Sequence, residues 1–349
     1  MGIGEFADLN FYPNLHEFAG DINPFMQKND PLGVLLMGSS DTARQVAKFT
    51  ERCLQQIRSV NQVWFSSKSK KLKTDRTPEN VSAVLAEIRA YGTLIRDWGN
   101  FKIEAPLKNG TDFVVHCGTQ TLRIEVNAPQ WAGGTKITSQ VLENITHGPF
   151  FSKVTEKIPF GMPRDLTKEN FATMAISKIC AIKQKEHQFS TDDFSVLWLD
   201  YWDPLLWLSP MSDHARPYLI HNTRLELGWL WNAFYAKKGD PTFDSVLITG
   251  ASTNAIPLAH DGRFHQEDCK IDLTIISDPR GLFAFQNPNK LNSFSDLFFA
   301  MLVDAHLFRF EISWLDWPTR GTLSSKIERS RLELRDMLTA LNTLGHSAS

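Results

Sequence analysis

The run FSVLWLDYW, residues 194–202, constrains the fold most, because nearly every position in it is apolar. A strand of this kind has no polar face to turn toward water, so it belongs at the centre of a sheet that is covered on both faces. At 349 residues and 42% hydrophobic content, the chain is long enough to bury such a core. We therefore expect an α/β fold built around this strand.

A helix is predicted on each side of a three-strand region that precedes this run. Thr77 followed by Pro78 is typical of a helix start, and apolar residues then repeat with helical period until Gly99. The second helix is predicted to begin at Thr167 and to continue through FATMAISKICAIKQKE, residues 171–186. Three β-like runs lie between the helices: FKIEAP (101–106), DFVVHC (112–117) and TLRIEV (121–126). The predicted order is helix, three strands, helix, strand.

The chain divides into three predicted parts. Residues 1–76 are a helical scaffold with a basic loop, 77–202 are the core just described, and 203–349 are an α+β extension rich in tryptophan. The scaffold contains a predicted helix over 40–57. The cationic segment KSKKLKTDRTPEN, residues 68–80, is predicted to be a loop between elements.

The C-terminal part is predicted either to pack on the core as an extension or to form a second domain. A helix is expected over 223–235, where Thr223 and Glu226 have the spacing of a capping box. A hairpin is expected over 271–285, with Asp278-Pro279-Arg280-Gly281 at its turn. The segment HDGRFHQEDC, residues 260–269, lacks standard zinc-site spacing and is predicted to be a polar loop.

Charge and cysteine content indicate the setting of the protein. The formal net charge of -2 creates no global positive field, so a nucleic acid or membrane could be held only by local patches. The N-terminal segment lacks a basic stretch followed by an apolar one, and no apolar run approaches the ~20 residues that cross a bilayer. Four widely spaced cysteines suit reduced thiols better than disulfides. We expect a cytoplasmic protein that has no membrane partner.

The hairpin over residues 112–126 carries an acid in each arm. If it turns over CGTQ and pairs His116 with Thr121, Asp112 lies opposite Glu125, with Cβ atoms about 4.5 to 5.5 Å apart. Two charges at that distance repel by roughly 3 kcal/mol at an effective dielectric constant of about 20. The repulsion requires a divalent metal ion, a proton or a nearby cation. Arg123 or the basic residues of the second helix could serve as that cation, so both a metal site and two ordinary edge carboxylates remain open.

Thr111-Asp112, a gap of twelve residues and then Glu125-Val126-Asn127 resemble the signature of the restriction-endonuclease-like PD-(D/E)XK nuclease superfamily. The resemblance covers roughly residues 78–202 and implies an αβββαβ core with a mixed central sheet. It implies that Asp112 and Glu125 hold a Mg²⁺ or Mn²⁺ ion, that the Val126 carbonyl adds an oxygen, and that Glu87 is the extra carboxylate of the preceding helix. Asn127 stands where the family usually has the lysine that helps to orient the attacking water.

The resemblance implies a metal-dependent endonuclease that acts on DNA or on RNA, in a prokaryotic defence or mobile-element setting. A catalytically silent member is the main alternative; it would bind nucleic acid, or partner proteins through its Trp-rich C-terminal half. A third class is a small-molecule enzyme built around residues 250–270. The sequence leaves open whether the chain forms a homo-oligomer.

Cationic side chains are the candidates for contacts with nucleic acid. One group lies in the basic segment and could follow a phosphate backbone: Lys68, Lys70, Lys71, Lys73 and Arg76. A second group could replace the lysine missing at Asn127: Lys136, Lys178 and Lys183. For every one of these residues, an ordinary solvated surface position is the alternative.

Overall fold

A computed structural model describes most of the N-terminal half of the chain and separate segments of the rest. The described residues are 12–21, 31–37, 41–106, 110–129, 179–182, 193–202, 218–220, 224–226, 229–235, 237–238, 246–247, 260–279, 281–287, 289 and 309–312. The start of the predicted second helix at Thr167 lies outside these residues, as do Lys136, Lys178 and Lys183.

The described residues before the sheet form five helices: α1 (Pro13–Ala19), α2 (Pro31–Met37), α3 (Asp41–Val60), α4 (Gln62–Thr74) and α5 (Pro78–Trp98). The helices predicted over 40–57 and from Pro78 to Gly99 are confirmed as α3 and α5. Thr77 stands at the N-cap of α5, but its hydroxyl donates to Asp75 Oδ1 at 2.8 Å and makes no capping hydrogen bond.

The basic segment that was predicted to be a loop is mostly helical, and this prediction is wrong. Asn61 caps α4 by accepting a hydrogen bond from the backbone N–H of Trp64. Trp64, Phe65 and Leu72 bury one face of the helix. Lysine is a good helix former, and Lys71 and Lys73 lie in the last turn, where positive charge offsets the helix dipole. The polar composition of the segment therefore led to the wrong prediction, because the apolar residues of the helix are few although they are regularly spaced.

The described residues contain ten strands in two sheets: β1 (Lys102–Glu104), β2 (Phe113–Cys117), β3 (Gln120–Asn127), β4 (Phe194–Asp200), β5 (Tyr218–Ile220), β6 (Arg224–Glu226), β7 (Val246–Leu247), β8 (Leu273–Asp278), β9 (Gly281–Gln286) and β10 (Arg309–Ile312). The larger sheet has the order β1-β2-β3-β4-β8-β9-β10, and the smaller has β5-β6-β7. In the larger sheet β1, β2 and β3 are antiparallel neighbours, whereas β3, β4 and β8 are parallel. Helices with a mixed sheet make this an α/β fold, as expected.

The C-terminal part continues the same large sheet, because β8 pairs directly with β4. The predicted hairpin is confirmed as β8 and β9, with Asp278 opposite Gly281. The helix predicted over 223–235 is only partly correct. Glu226 pairs with Tyr218 in the ladder between β6 and β5, and a helix, α6, begins only at Trp229. A capping box between Thr223 and Glu226 is thus wrong, since Glu226 belongs to a strand. Residues 260–272 form irregular chain with one short 3-10 turn at Arg263–His265, in agreement with the predicted loop.

The hydrophobic core lies between the helices and the large sheet. All seven residues of β4 are buried, which confirms its predicted central position. Phe113 of β2 stacks on Tyr91 of α5 with 5.0 Å between ring centroids, and Trp64 of α4 meets Tyr91 edge-on. Trp198 and Trp202 are buried as well, so these two tryptophans belong to the core and not to a partner surface. Within the described segments, no helix combines the length and apolar content needed to span a membrane.

Candidate functional site

The hairpin of β2 and β3 has the predicted register. His116 pairs with Thr121, and the pairing continues to Phe113 opposite Ile124. Asp112 lies just before the first residue of β2, so one further step along the ladder places it opposite Glu125. The two acids therefore occupy the open end of the hairpin, where the pairing of β2 with β3 stops.

Asp112 closes this open end with its side chain. Its Oδ2 atom accepts a hydrogen bond from the backbone N–H of Val126 at 2.8 Å. In a sheet the N–H and C=O of one residue point toward the same neighbouring strand. The Val126 carbonyl consequently faces the side on which Asp112 lies, so its oxygen could act as a metal ligand beside the carboxylate.

The charge that acts most strongly on Asp112 comes from α5. Burial first, and then the charge of Glu87, raise the pKa of Asp112 to about 6, whereas the hydrogen bond from Val126 and the charges of Lys68 and Lys71 lower it. Glu87 is only 7% exposed, so it is not a solvated residue on the surface of α5. Of the charges that raise the pKa of Asp112, that of Glu87 is the largest, whereas the sequence pointed to Glu125.

Lys68 is turned into the site. Its ammonium group forms an ion pair with the Glu87 carboxylate, and the two side chains are 14% and 9% exposed. Its Nζ atom also lies 5.3 Å from the centre of the Trp64 ring. Lys70, Lys71 and Lys73 are exposed on the outer surface of α4. Lys68 is thus the lysine of α4 that points inward, whereas Arg76, which follows the helix, is half-buried.

Glu125 and Asn127 lie on β3 opposite Leu197 and Leu199 of β4, and both are half-buried. Arg123 was considered as a cation that could neutralise the acids. Its Nε atom instead donates to Asp193 Oδ2. Lys68, which was not considered for that role, pairs with Glu87.

The oxygen atoms at the open end of the hairpin are of the kind that binds a divalent metal ion. Asp112, Glu125 and the Val126 carbonyl are oxygen donors, which Mg²⁺ and Mn²⁺ prefer. Burial raises the pKa of Asp112 most, and the repulsion from Glu87 is larger than the attraction from Lys68. In the described part of the chain, no three His, Cys, Asp or Glu side chains converge into a ready metal cage. The donors fit an ion that keeps several water ligands, as Mg²⁺ commonly does.

A buried ion pair at the end of β4 was missed from the sequence. Arg89 of α5 donates from Nε and Nη2 to the two carboxylate oxygens of Asp200, at 2.9 and 2.7 Å. The pair lies beside a shallow cleft, which is lined by Pro31, Leu35, Ser82, Arg89, Ala128, Pro129, Asp200 and Trp202. Two signals could have found it: a charged residue in the apolar stretch of α5, and an acid that ends a fully apolar strand.

We expect Asp112→Asn to make the protein more stable above pH 6. The folded state holds the Asp112 proton more tightly than the unfolded state does, since burial and Glu87 raise its pKa to about 6. The stabilisation that the Asp112 proton gives the folded state is therefore fully present below about pH 4 and is lost as the pH rises to about 6. Asparagine does not titrate and can still accept the Val126 N–H.

Urea unfolding of both proteins at pH 4.5 and 7.5 should show the advantage of Asp112→Asn growing by about 2 to 3 kcal/mol over this range. Asp75→Asn is the control: hydrogen bonds from Thr77 lower the pKa of that exposed carboxyl, so it stays ionised over this range and its difference from the wild type should not change with pH. A constant difference between Asp112→Asn and the wild type across this range would contradict the burial of a charged Asp112.

No protein-family model matches the chain, and neither a curated protein nor a solved structure is significantly similar to it.

Proposed function

We propose that the chain is a metal-dependent endonuclease of the restriction-endonuclease-like PD-(D/E)XK kind, which hydrolyses phosphodiester bonds of DNA or RNA. The single observation that carries the proposal is the position of Asp112. A desolvated carboxylate stands at the open end of a hairpin, opposite Glu125, with Glu87 as its charged neighbour. Desolvated acids with shifted pKa values are typical of functional sites and are costly in a purely structural role.

The sheet order supports the same proposal. The helix α5 is followed by three antiparallel strands and then by β4, which is parallel to β3. This arrangement is compatible with the αβββαβ core implied by the motif. Parallel neighbours such as β3 and β4 require a crossover connection, which is where the second helix is predicted.

In this proposal Asp112, Glu125 and the Val126 carbonyl hold the metal ion. Bound Mg²⁺ or Mn²⁺ would supply charge stabilisation at the phosphate and a more acidic water. The hydrogen bond from the Val126 N–H fixes the Asp112 carboxylate, so its position is set before the ion binds. The exposed lysines of α4, Lys70, Lys71 and Lys73, would attract and align the phosphate backbone. Asn127 would orient the water through its amide group, which carries no charge.

A catalytically silent member of the same fold is the second candidate. The observations that favour it are the ion pair of Glu87 with Lys68, which already neutralises one acid, and the uncharged Asn127. Such a protein would bind nucleic acid or a protein partner without cutting.

The test is cleavage by the purified protein. Supercoiled plasmid and a single-stranded RNA are incubated separately with the wild type. Each reaction contains EDTA or about 5 to 10 mM Mg²⁺ or Mn²⁺, because weak carboxylate sites need metal on the order of millimolar. We expect nicking in Mn²⁺ or Mg²⁺ and none in EDTA. Calorimetric titration with Mn²⁺ should show binding that is lost in Asp112→Ala. Absence of both metal binding and cleavage would remove the enzymatic proposal in favour of the silent member.

A further inference from the structure

Lys68 differs from the other lysines of its helix. Lys70, Lys71 and Lys73 are exposed, whereas Lys68 is mostly buried between Trp64 and the Glu87 carboxylate. Buried lysine is rare and needs a partner, because removing an ammonium group from water is costly. The fold thus keeps a positive charge at a defined place inside the acidic site.

The same charge acts on the metal-binding acid. Lys68 pairs with Glu87, and both Lys68 and Glu87 act electrostatically on Asp112. Asp112 in turn is bonded to the N–H of Val126, the residue before Asn127. Lys68 therefore acts on the end of the hairpin that immediately precedes Asn127, the position at which the signature usually has its lysine and this chain has an amide.

Phosphodiester hydrolysis needs positive charge at this place. Negative charge develops on the phosphoryl oxygens in the transition state, and three carboxylates at one site would repel it. Asn127 cannot offset this charge. A lysine ammonium on a flexible four-carbon stem can move between a carboxylate and a phosphate oxygen, because it acts as a point charge without fixed geometry.

We propose that Lys68 is the residue that contacts the scissile phosphate, in place of a lysine at position 127, after it exchanges its contact with Glu87 for a phosphate oxygen. This inference rests on the proposed nuclease function and names a residue outside the signature. The exchange breaks one ion pair and forms another, so no proton is transferred. Net hydrolysis adds water across the P–O bond: the water oxygen ends on phosphorus and a proton ends on the leaving oxygen.

The first test compares Lys68→Gln with Lys48→Gln, an exposed lysine on α3 outside the proposed site. Lys68→Gln should lower kcat by about 100-fold with little change in KM, the loss typical of removing one charged transition-state contact. Lys68→Arg should retain part of the activity, and Lys48→Gln should match the wild type. Circular dichroism and urea unfolding of each variant show whether the fold is kept. A folded Lys68→Gln variant with wild-type kcat would overturn the inference.

The second test moves the lysine to the usual position of the signature. Asn127→Lys in the Lys68→Gln background should restore at least about 10-fold of the lost kcat, whereas a purely structural role of Lys68 predicts no rescue. Asn127→Lys should raise kcat more in the Lys68→Gln background than in the wild-type background, because Lys68 already supplies the charge in the latter. A gain of orders of magnitude in the wild-type background would mean that Lys68 does not do this work.

The two proposals fail in different ways. Wild-type cleavage that is unaffected by Lys68→Gln rejects Lys68 alone. If neither the wild type nor Asn127→Lys cleaves, the nuclease proposal fails. In that case, fluorescence anisotropy with a labelled 20-base-pair DNA duplex in Ca²⁺ tests whether Lys68 contacts a phosphate. Equal affinities and equal salt dependence of the wild type and Lys68→Gln would overturn the phosphate contact.

Discussion

Asp112→Asn and Glu125→Gln should each reduce metal-dependent cleavage by about three orders of magnitude, because each removes one of the two carboxylates that would hold the ion. Asparagine and glutamine keep the size and hydrogen-bonding capacity of the acids, so the fold should persist. For Asp112 the substitution also removes a buried charge that burial and Glu87 oppose. Loss of activity together with a gain in stability is the behaviour expected of a residue kept for function.

Initial rates on plasmid, measured across a range of Mn²⁺ concentrations, check this expectation. Glu104→Gln is the control, because Glu104 is an exposed carboxylate on β1 that pairs with Lys102. That variant should cut as the wild type does. Cleavage that survives both Asp112→Asn and Glu125→Gln would place the activity elsewhere or in a contaminant.

Arg89→Met or Asp200→Asn should destabilise the fold by about 3 to 5 kcal/mol, since each leaves a buried partner uncompensated. The two side chains are 5% and 1% exposed and are joined by two hydrogen bonds that fix α5 to the end of β4. Asp200 Oδ1 also accepts the backbone N–H of Trp202 at 3.3 Å, so the carboxylate orders the chain beyond the strand.

Urea unfolding of both single variants and of the double variant measures this effect. The double variant should lose less than the sum of the single losses, because it leaves no unpaired charge. Arg58→Met is the control: the pair of Arg58 with Glu17 is 43% and 49% exposed, so its loss should cost less than about 1 kcal/mol. Equal losses at the buried and the exposed pairs would show that Arg89 and Asp200 are not isolated from water.

Strong periodic patterns made much of the fold predictable. The apolar period of α5 and the alternation of β3 identified both elements, and the turn over CGTQ was enough to fix the register of β2 with β3. The buried run of β4 correctly indicated a central strand. In each case the structure follows from a local property, namely whether the element is buried on one face or on both.

The failures occurred where local and long-range effects compete. Helix α4 has few apolar residues, and its helical state depends on packing of Trp64 and Phe65 that the sequence does not display. Glu226 suits the start of a helix, yet pairing with β5 places it in a strand. Tertiary contacts outweighed the local preference in both cases.

The site was predictable in its residue types but not in its charge partners. Asp112 and Glu125 were found because a hairpin register is a local property. The pairing of Lys68 with Glu87 depends on how α4 packs against α5, and that of Arg89 with Asp200 joins residues 111 positions apart. Contacts across such separations have no signature in the spacing of a single sequence.

The pairing of β8 with β4 determines where the protein can be truncated without losing its fold. A fragment that stopped after residue 202 would contain every acid of the hairpin, but it would end with β4, whose seven residues are all buried in the protein, lacking its neighbour. Its backbone N–H and C=O groups would then be free to add a strand from another molecule, which is how truncated sheets aggregate. The minimal folding unit of this protein therefore includes residues 273–278, far in sequence from the hairpin whose geometry they protect.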